Sequence, residues 1–113
     1  MRHRFLGTYT HAPDRFAPAS AAAVVTLSTM TDFAARTPEA RTLADRLAML
    51  ACGFGAATPA ALLQVEAPTI FARAGRTVAD DVAEVSRRLG EGVRIEAVTL
   101  VWARPAEPEE AAA

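Results

Sequence analysis

Two histidines, one tyrosine and one cysteine are the residues of this chain whose types best suit chemistry near neutral pH. His3 and Tyr9 share one face if the segment joining them is a strand, because side chains alternate with period two. His11 follows in a segment interrupted by Pro13 and Pro18. A general acid or base would most naturally be one of the two imidazoles. Glu66 and Glu96, both expected on strands among apolar neighbours, are the carboxylate pair that could be half-buried and tuned for proton transfer. Each candidate also has a plainer account. His3 frays with the terminus, His11 caps a loop, and the two glutamates form cross-strand ion pairs with Arg73 or Arg94. The plainer accounts are favoured, since a site needs convergent groups and the sequence identifies none.

Cys52 stands in Ala-Cys-Gly-Phe-Gly at the end of an expected helix. Reactive thiolates favour helix N-termini or a neighbouring cation, so a buried, inert cysteine is expected here. Gly53-Phe54-Gly55 lacks the Lys and Ser/Thr of a phosphate loop and follows a helix instead of opening one, which makes it a helix stop. No ligand spacing matches a metal site, and no cofactor motif is present.

The elements that would have to position these groups follow from periodicity. Val78, Val82, Val85 and Leu89 form one stripe of a helix that Thr77 caps and Gly90 ends, with Asp80, Asp81, Glu84, Arg87, Arg88 and Glu91 expected on a solvated opposite face. Residues 93–104 read as a strand, with Val93, Ile95, Ala97, Thr99 and Val101 on one face and Arg94, Glu96, Val98, Leu100 and Trp102 on the other. Thr37-Pro38-Glu39 starts a second helix, with Leu43, Leu47 and Leu50 along its stripe until Gly53 and Gly55. Residues 4–10 read as a short strand. Residues 21–28 fit helix or strand, and strand is preferred because the 93–104 strand needs neighbours. Residues 60–67 read as a further strand, extended after a bend by 69–73.

Together these predict a single α+β domain over residues 1–104 and a disordered Pro/Glu/Ala tail over 105–113. The expected architecture is one mixed or antiparallel sheet with two helices on one face, an arrangement compatible with a ferredoxin-like sandwich. With 113 residues, 51% of them apolar, the chain can bury a core without staples. Twelve Arg, no Lys and a net charge of −1 give no basic excess for nucleic acid or an anionic membrane. One cysteine excludes an intrachain disulfide, and no apolar run approaches the ~20 residues of a membrane span. A cytoplasmic protein is expected.

The leading functional expectation is a non-catalytic domain that forms a homo-oligomer or binds a protein partner through Val98, Leu100 and Trp102 on an uncovered sheet face. The alternative is a small cofactor-free enzyme or ligand-binding protein of isomerase or cyclase type, with His3, Tyr9, His11 and Glu66 converging on a pocket between sheet and helices. A helix-turn-helix reading of residues 42–48 or 77–82 lacks a following helix rich in Arg, Lys, Gln or Asn. On the helix stripe assigned above, Val85→Asp should destabilise the fold by several kcal/mol, whereas Arg87→Ala should shift it by no more than ~0.5 kcal/mol. Side-by-side thermal melts check both values, and the reverse order would mean that the helix is rotated.

Overall fold

Four threonines, Thr31, Thr37, Thr58 and Thr77, each followed within three residues by proline or an acid, start the described helices. In the computed structural model, which describes residues 2–66 and 76–103, the chain runs β1 (His3–His11), β2 (Ala21–Thr29), α1 (Asp32–Ala35), α2 (Pro38–Phe54), α3 (Pro59–Leu63), α4 (Val78–Leu89) and β3 (Arg94–Trp102). The side chains of Thr37, Thr58 and Thr77 each accept a hydrogen bond from the backbone N–H three residues on, and Thr77 with Asp80 completes a reciprocal capping box. Gly55 and Gly90 close α2 and α4 in the left-handed conformation, at φ 65° and 74°.

The strands form one antiparallel sheet in the order β1-β2-β3. Among the described residues this is an α+β fold with three strands and four helices, of which α2 and α4 are the long ones. The β2 strand preferred for 21–28 is present. The strand expected over 60–67 is not: Thr58-Pro59 starts a helix, by the same cap-plus-proline signal that starts α2, and only Glu66 makes an isolated bridge, to Thr77. Residues 69–73 and 105–113 lie outside the described residues.

One face of the sheet is buried by the helices. Ala21, Ala23, Val25 and Leu27 of β2 join Leu43, Leu47 and Ala48 of α2, Leu62 of α3 and Val78, Val82 and Val85 of α4 in a single core. The valine stripe of α4 therefore faces inward as expected. Its opposite face is not wholly solvated, however. Asp81 is 1% exposed, and one of its carboxylate oxygens is held 2.9 Å from Arg76 Nε. Its position three residues after Val78 keeps it on the edge of the apolar stripe, where the Arg76 guanidinium satisfies one side of the buried charge.

The faces of β3 also differ from strict alternation. A bulge lies opposite Thr26 and Leu27, so that Ala97 pairs with Thr26 and Ile95 with Leu27, leaving Glu96 as the extra residue. Beyond it the phase inverts. Val98 pairs with Val25, Leu100 with Ala23 and Trp102 with Ala21, and all three therefore take the helix-covered side, with Val98 and Leu100 packed against the core. The uncovered face of β3 is Ala97, Thr99 and Val101.

Gly7 of β1 lies directly against the backbone of Ala44 in α2. A β-carbon at Gly7 would fall inside the backbone carbonyl of Ala44. Gly7→Ala should therefore destabilise by ~3 kcal/mol or more, since the obstacle is backbone and cannot swing aside. Gly53→Ala, inside α2 with open space around it, should instead stabilise by up to ~1 kcal/mol. Urea titrations of the two variants test this contrast.

Three carboxylates stabilise corners of the fold. Asp80 is held below its usual range chiefly by the Thr77 backbone N–H, Glu91 by the Thr31 backbone N–H and Glu96 by the Ser28 hydroxyl. Groups with lowered folded pKa values contribute fully above their ordinary values and lose that contribution as pH falls through the lowered ones. Glu91→Gln should consequently flatten the fall of Tm with acidification below pH 4.5, the ordinary value of this group. Melts at closely spaced pH values between neutrality and strong acid check the slope.

Candidate functional site

Each cross-strand row on the covered side of the sheet puts one residue from each strand side by side. The last two rows are Tyr9–Ala23–Leu100 and His11–Ala21–Trp102. In the final row two large rings flank an alanine, and the missing bulk at Ala21 leaves a slot between them. The C-terminal part of α2 passes above, where Met49, Cys52 and Gly53 form the roof. The result is a cleft of about 370 Å³ lined by Tyr9, His11, Ala21, Met49, Cys52, Gly53 and Trp102.

Small side chains explain why it opens here. Along α2, Ala44, Ala48 and Ala51 are fully buried, which lets the helix lie close to the sheet above Gly7, Val25 and Ala23. At the last row the helix ends and nothing fills the space between the rings. Ser20 N–H donates to the His11 carbonyl at 2.7 Å, and Ala103 N–H donates to the Ser20 carbonyl at 2.8 Å, tying the three strand ends together. In the loop between β1 and β2, the Asp14 carboxylate accepts from the N–H groups of Phe16 and Ala17.

The polar atoms of the cleft are few. Tyr9 and His11 stack with ring centroids 6.4 Å apart and planes inclined by 26°, and the Tyr9 hydroxyl lies 3.4 Å from His11 Nδ1, at the long limit of a hydrogen bond. Trp102 is half exposed and offers its indole N–H. The negative end of the α2 dipole borders the roof, and α2 carries no basic side chain in its last turn. None of the lining residues is Arg. On the far side of Tyr9 a separate, more open groove is lined by Thr8, Thr42, Asp45 and Arg46.

Of the four residues expected to converge, the fold brings together two. Tyr9 and His11 meet in the cleft because β1 continues one residue further than the proline loop suggested. His3 sits opposite Thr29 at the other end of the same strand, roughly 25 Å away at the strand rise. Glu66 is exposed in the connection between α3 and α4. Nor do Glu66 and Glu96 form a pair. Glu96 lies at the bulge, where it accepts from Ser28 Oγ at 2.5 Å and sits 3.8 Å from Arg2 Nε, and its carboxyl is held down where a general acid would need it raised. No carboxylate lines the cleft, so the Tyr9–His11 pair has no acidic partner there among the described residues.

Trp102 belongs to the site, and not to an uncovered face. Met49 and Ala21 were not singled out by sequence, although continuing the two-residue alternation of β1 through His11 would have placed both rings on one side. Among the described residues no group of three His, Cys, Asp or Glu side chains is placed to hold a metal ion, and no helix is long and apolar enough to cross a membrane. The helix expected to be missing after α2 is present as α3, but its Pro-Ala-Ala-Leu-Leu sequence has no side chain suited to reading DNA. No family model matches the chain, and no curated protein matches it in sequence.

Proposed function

We propose that this domain binds a small, flat aromatic or heteroaromatic molecule, neutral or cationic, in the cleft between Tyr9–His11 and Trp102. The observation that carries the reading is compositional as well as geometric. The only tryptophan, the only tyrosine, the only cysteine and one of the two histidines of the chain all line this one cleft. A volume of about 370 Å³ suits a ligand of one or two rings. Rings on both walls favour a flat guest through stacking and edge contacts, and the face of an aromatic ring attracts positive charge. The bordering helix C-terminus and the absence of Arg disfavour an anion. Tyr9 Oη, the His11 nitrogens and Trp102 Nε1 supply the hydrogen bonds that would orient the guest. The lining has no carboxylate to pair with His11, and its one thiol, Cys52, is buried, which supports binding over turnover.

Three probes that share one bicyclic ring system test the reading: quinoline, N-methylquinolinium and quinoline-2-carboxylate. Amide and indole shift changes in two-dimensional NMR should centre on Tyr9, His11, Ala21, Cys52 and Trp102 for the first two, and the carboxylate should bind roughly tenfold more weakly or not at all. Ala21→Leu, which fills the slot from its floor, and Trp102→Leu, which removes one wall at a half-exposed site, should each weaken quinoline binding by about tenfold or more. Both variants are melted first to establish that they fold. Shifts scattered away from the cleft, or affinity indifferent to both substitutions, would overturn the proposal.

A further inference from the structure

The cleft has a charged neighbour. Tyr9 and Met49, which line it, also line the groove beside it, so the two spaces meet across these half-buried side chains. Along α2, Asp45 lies three residues after Thr42 and four before Met49, which puts all three on one stripe of the helix, and Arg46 stands beside them. Opposite is β1, an edge strand of the sheet, whose Thr8 backbone N–H donates to Asp45 Oδ1 at 3.3 Å. Asp45 and Arg46 are both exposed, and among the described residues neither enters an ion pair.

We infer that the guest of the cleft is an aromatic α-amino acid bound as its zwitterion, an assignment that rests on the ligand-binding reading above and adds a head group to it. The ring lies between Tyr9–His11 and Trp102, the ammonium on Asp45 and the carboxylate on Arg46. Charge selects this class. The cleft is lined by no carboxylate and no Arg, whereas the groove beside it holds one of each. A bare amine reaching into the groove would set its cation beside the Arg46 guanidinium, and a bare acid would set its carboxylate beside Asp45. A zwitterion answers both charges and leaves the guest neutral in sum.

Reach agrees with charge. Met49 in the roof of the cleft follows Asp45 by four residues, roughly 6 Å along the axis at the α-helical rise. In an aromatic α-amino acid two carbons join ring to ammonium, a span of about 4 Å, and a charge-assisted hydrogen bond of about 2.8 Å covers the remainder. The head group then lies against the middle of α2, away from the negative end of the dipole that borders the roof. Arg46 is the better partner for the carboxylate than Arg41. Arg41 lines a further depression with Pro38, Thr42 and Asp45, one turn before Asp45, and is not in the groove that Tyr9 and Met49 share with the cleft.

Four probes with one ring system, titrated into the full chain and followed by two-dimensional NMR, provide the test: tryptophan, tryptamine, indole-3-propionate and indole. All four should move the Tyr9, His11 and Trp102 resonances. Tryptophan should bind about tenfold more tightly than indole and about threefold or more tightly than either singly charged probe, the increments expected of exposed ion pairs, and should also move the amides of Thr42, Asp45 and Arg46. Asp45→Asn, which keeps an acceptor for the Thr8 N–H, and Arg46→Gln should each reduce the preference for tryptophan over indole by about threefold. Indole and quinoline seated in the cleft with tryptophan no tighter than indole would overturn this inference and leave the ligand-binding reading standing. Tryptamine equal to tryptophan, or a preference indifferent to both substitutions, would do the same. If neither quinoline nor any indole moves the cleft resonances, the ligand-binding reading fails and this inference fails with it.

Discussion

The contact between Gly7 and the backbone of Ala44 sets the spacing on which the rest of the domain depends. With no side chain at residue 7, α2 comes down until its own backbone meets β1. The stripe that follows on the helix is correspondingly slim, with Ala48 and Ala51 buried above a sheet that offers Ala23 and Val25 in return. Large core side chains are displaced to the flanks, where Leu43, Leu47 and Leu62 meet the valines of α4. A core of this kind has little slack, since neither surface can retreat without losing contact along its whole length.

That same spacing makes the cleft possible. Where helix and sheet are both lined by small residues they touch, and where the sheet ends in His11, Ala21 and Trp102 the helix ends too, leaving the two rings as walls on either side of the alanine. The two faces of the sheet consequently divide the labour. The covered face combines a close-packed centre with an aromatic end, and the other face is neutral apart from the Arg2–Ser28–Glu96 network and the neighbouring Arg4 and Arg94 at one end.

Much of the helical framework was legible in the sequence because helix ends carry local signals. Thr77 with Asp80, Gly90, Thr37-Pro38 and Gly55 act through bonds that close within a few residues, so reading them requires no knowledge of the fold. Thr58-Pro59 is the same signal, and it was masked by the β-prone Leu62, Leu63 and Val65 after it. The valine stripe of α4 was legible for a similar reason, but Asp81 was not. Its burial depends on Arg76 lying across it, a tertiary circumstance that helical periodicity does not encode. The candidate site was half legible. Tyr9 and His11 share a face by simple alternation, whereas the arrival of Trp102 opposite them depends on a pairing defect in another strand.

That defect makes β3 unusual in what it tolerates. The bulge at Glu96 inserts one residue between two segments with opposite demands, one answering to the arginine network and the other to the core and cleft. Exchanges of one side chain for another act within a segment and are felt locally. A change in the number of residues between Ile95 and Val98 acts on every position beyond it, turning Val98, Leu100 and Trp102 out and Thr99 and Val101 in. Homologous chains are therefore free to drift in composition along this strand, but a one-residue insertion or deletion in it needs a second to compensate before both faces survive.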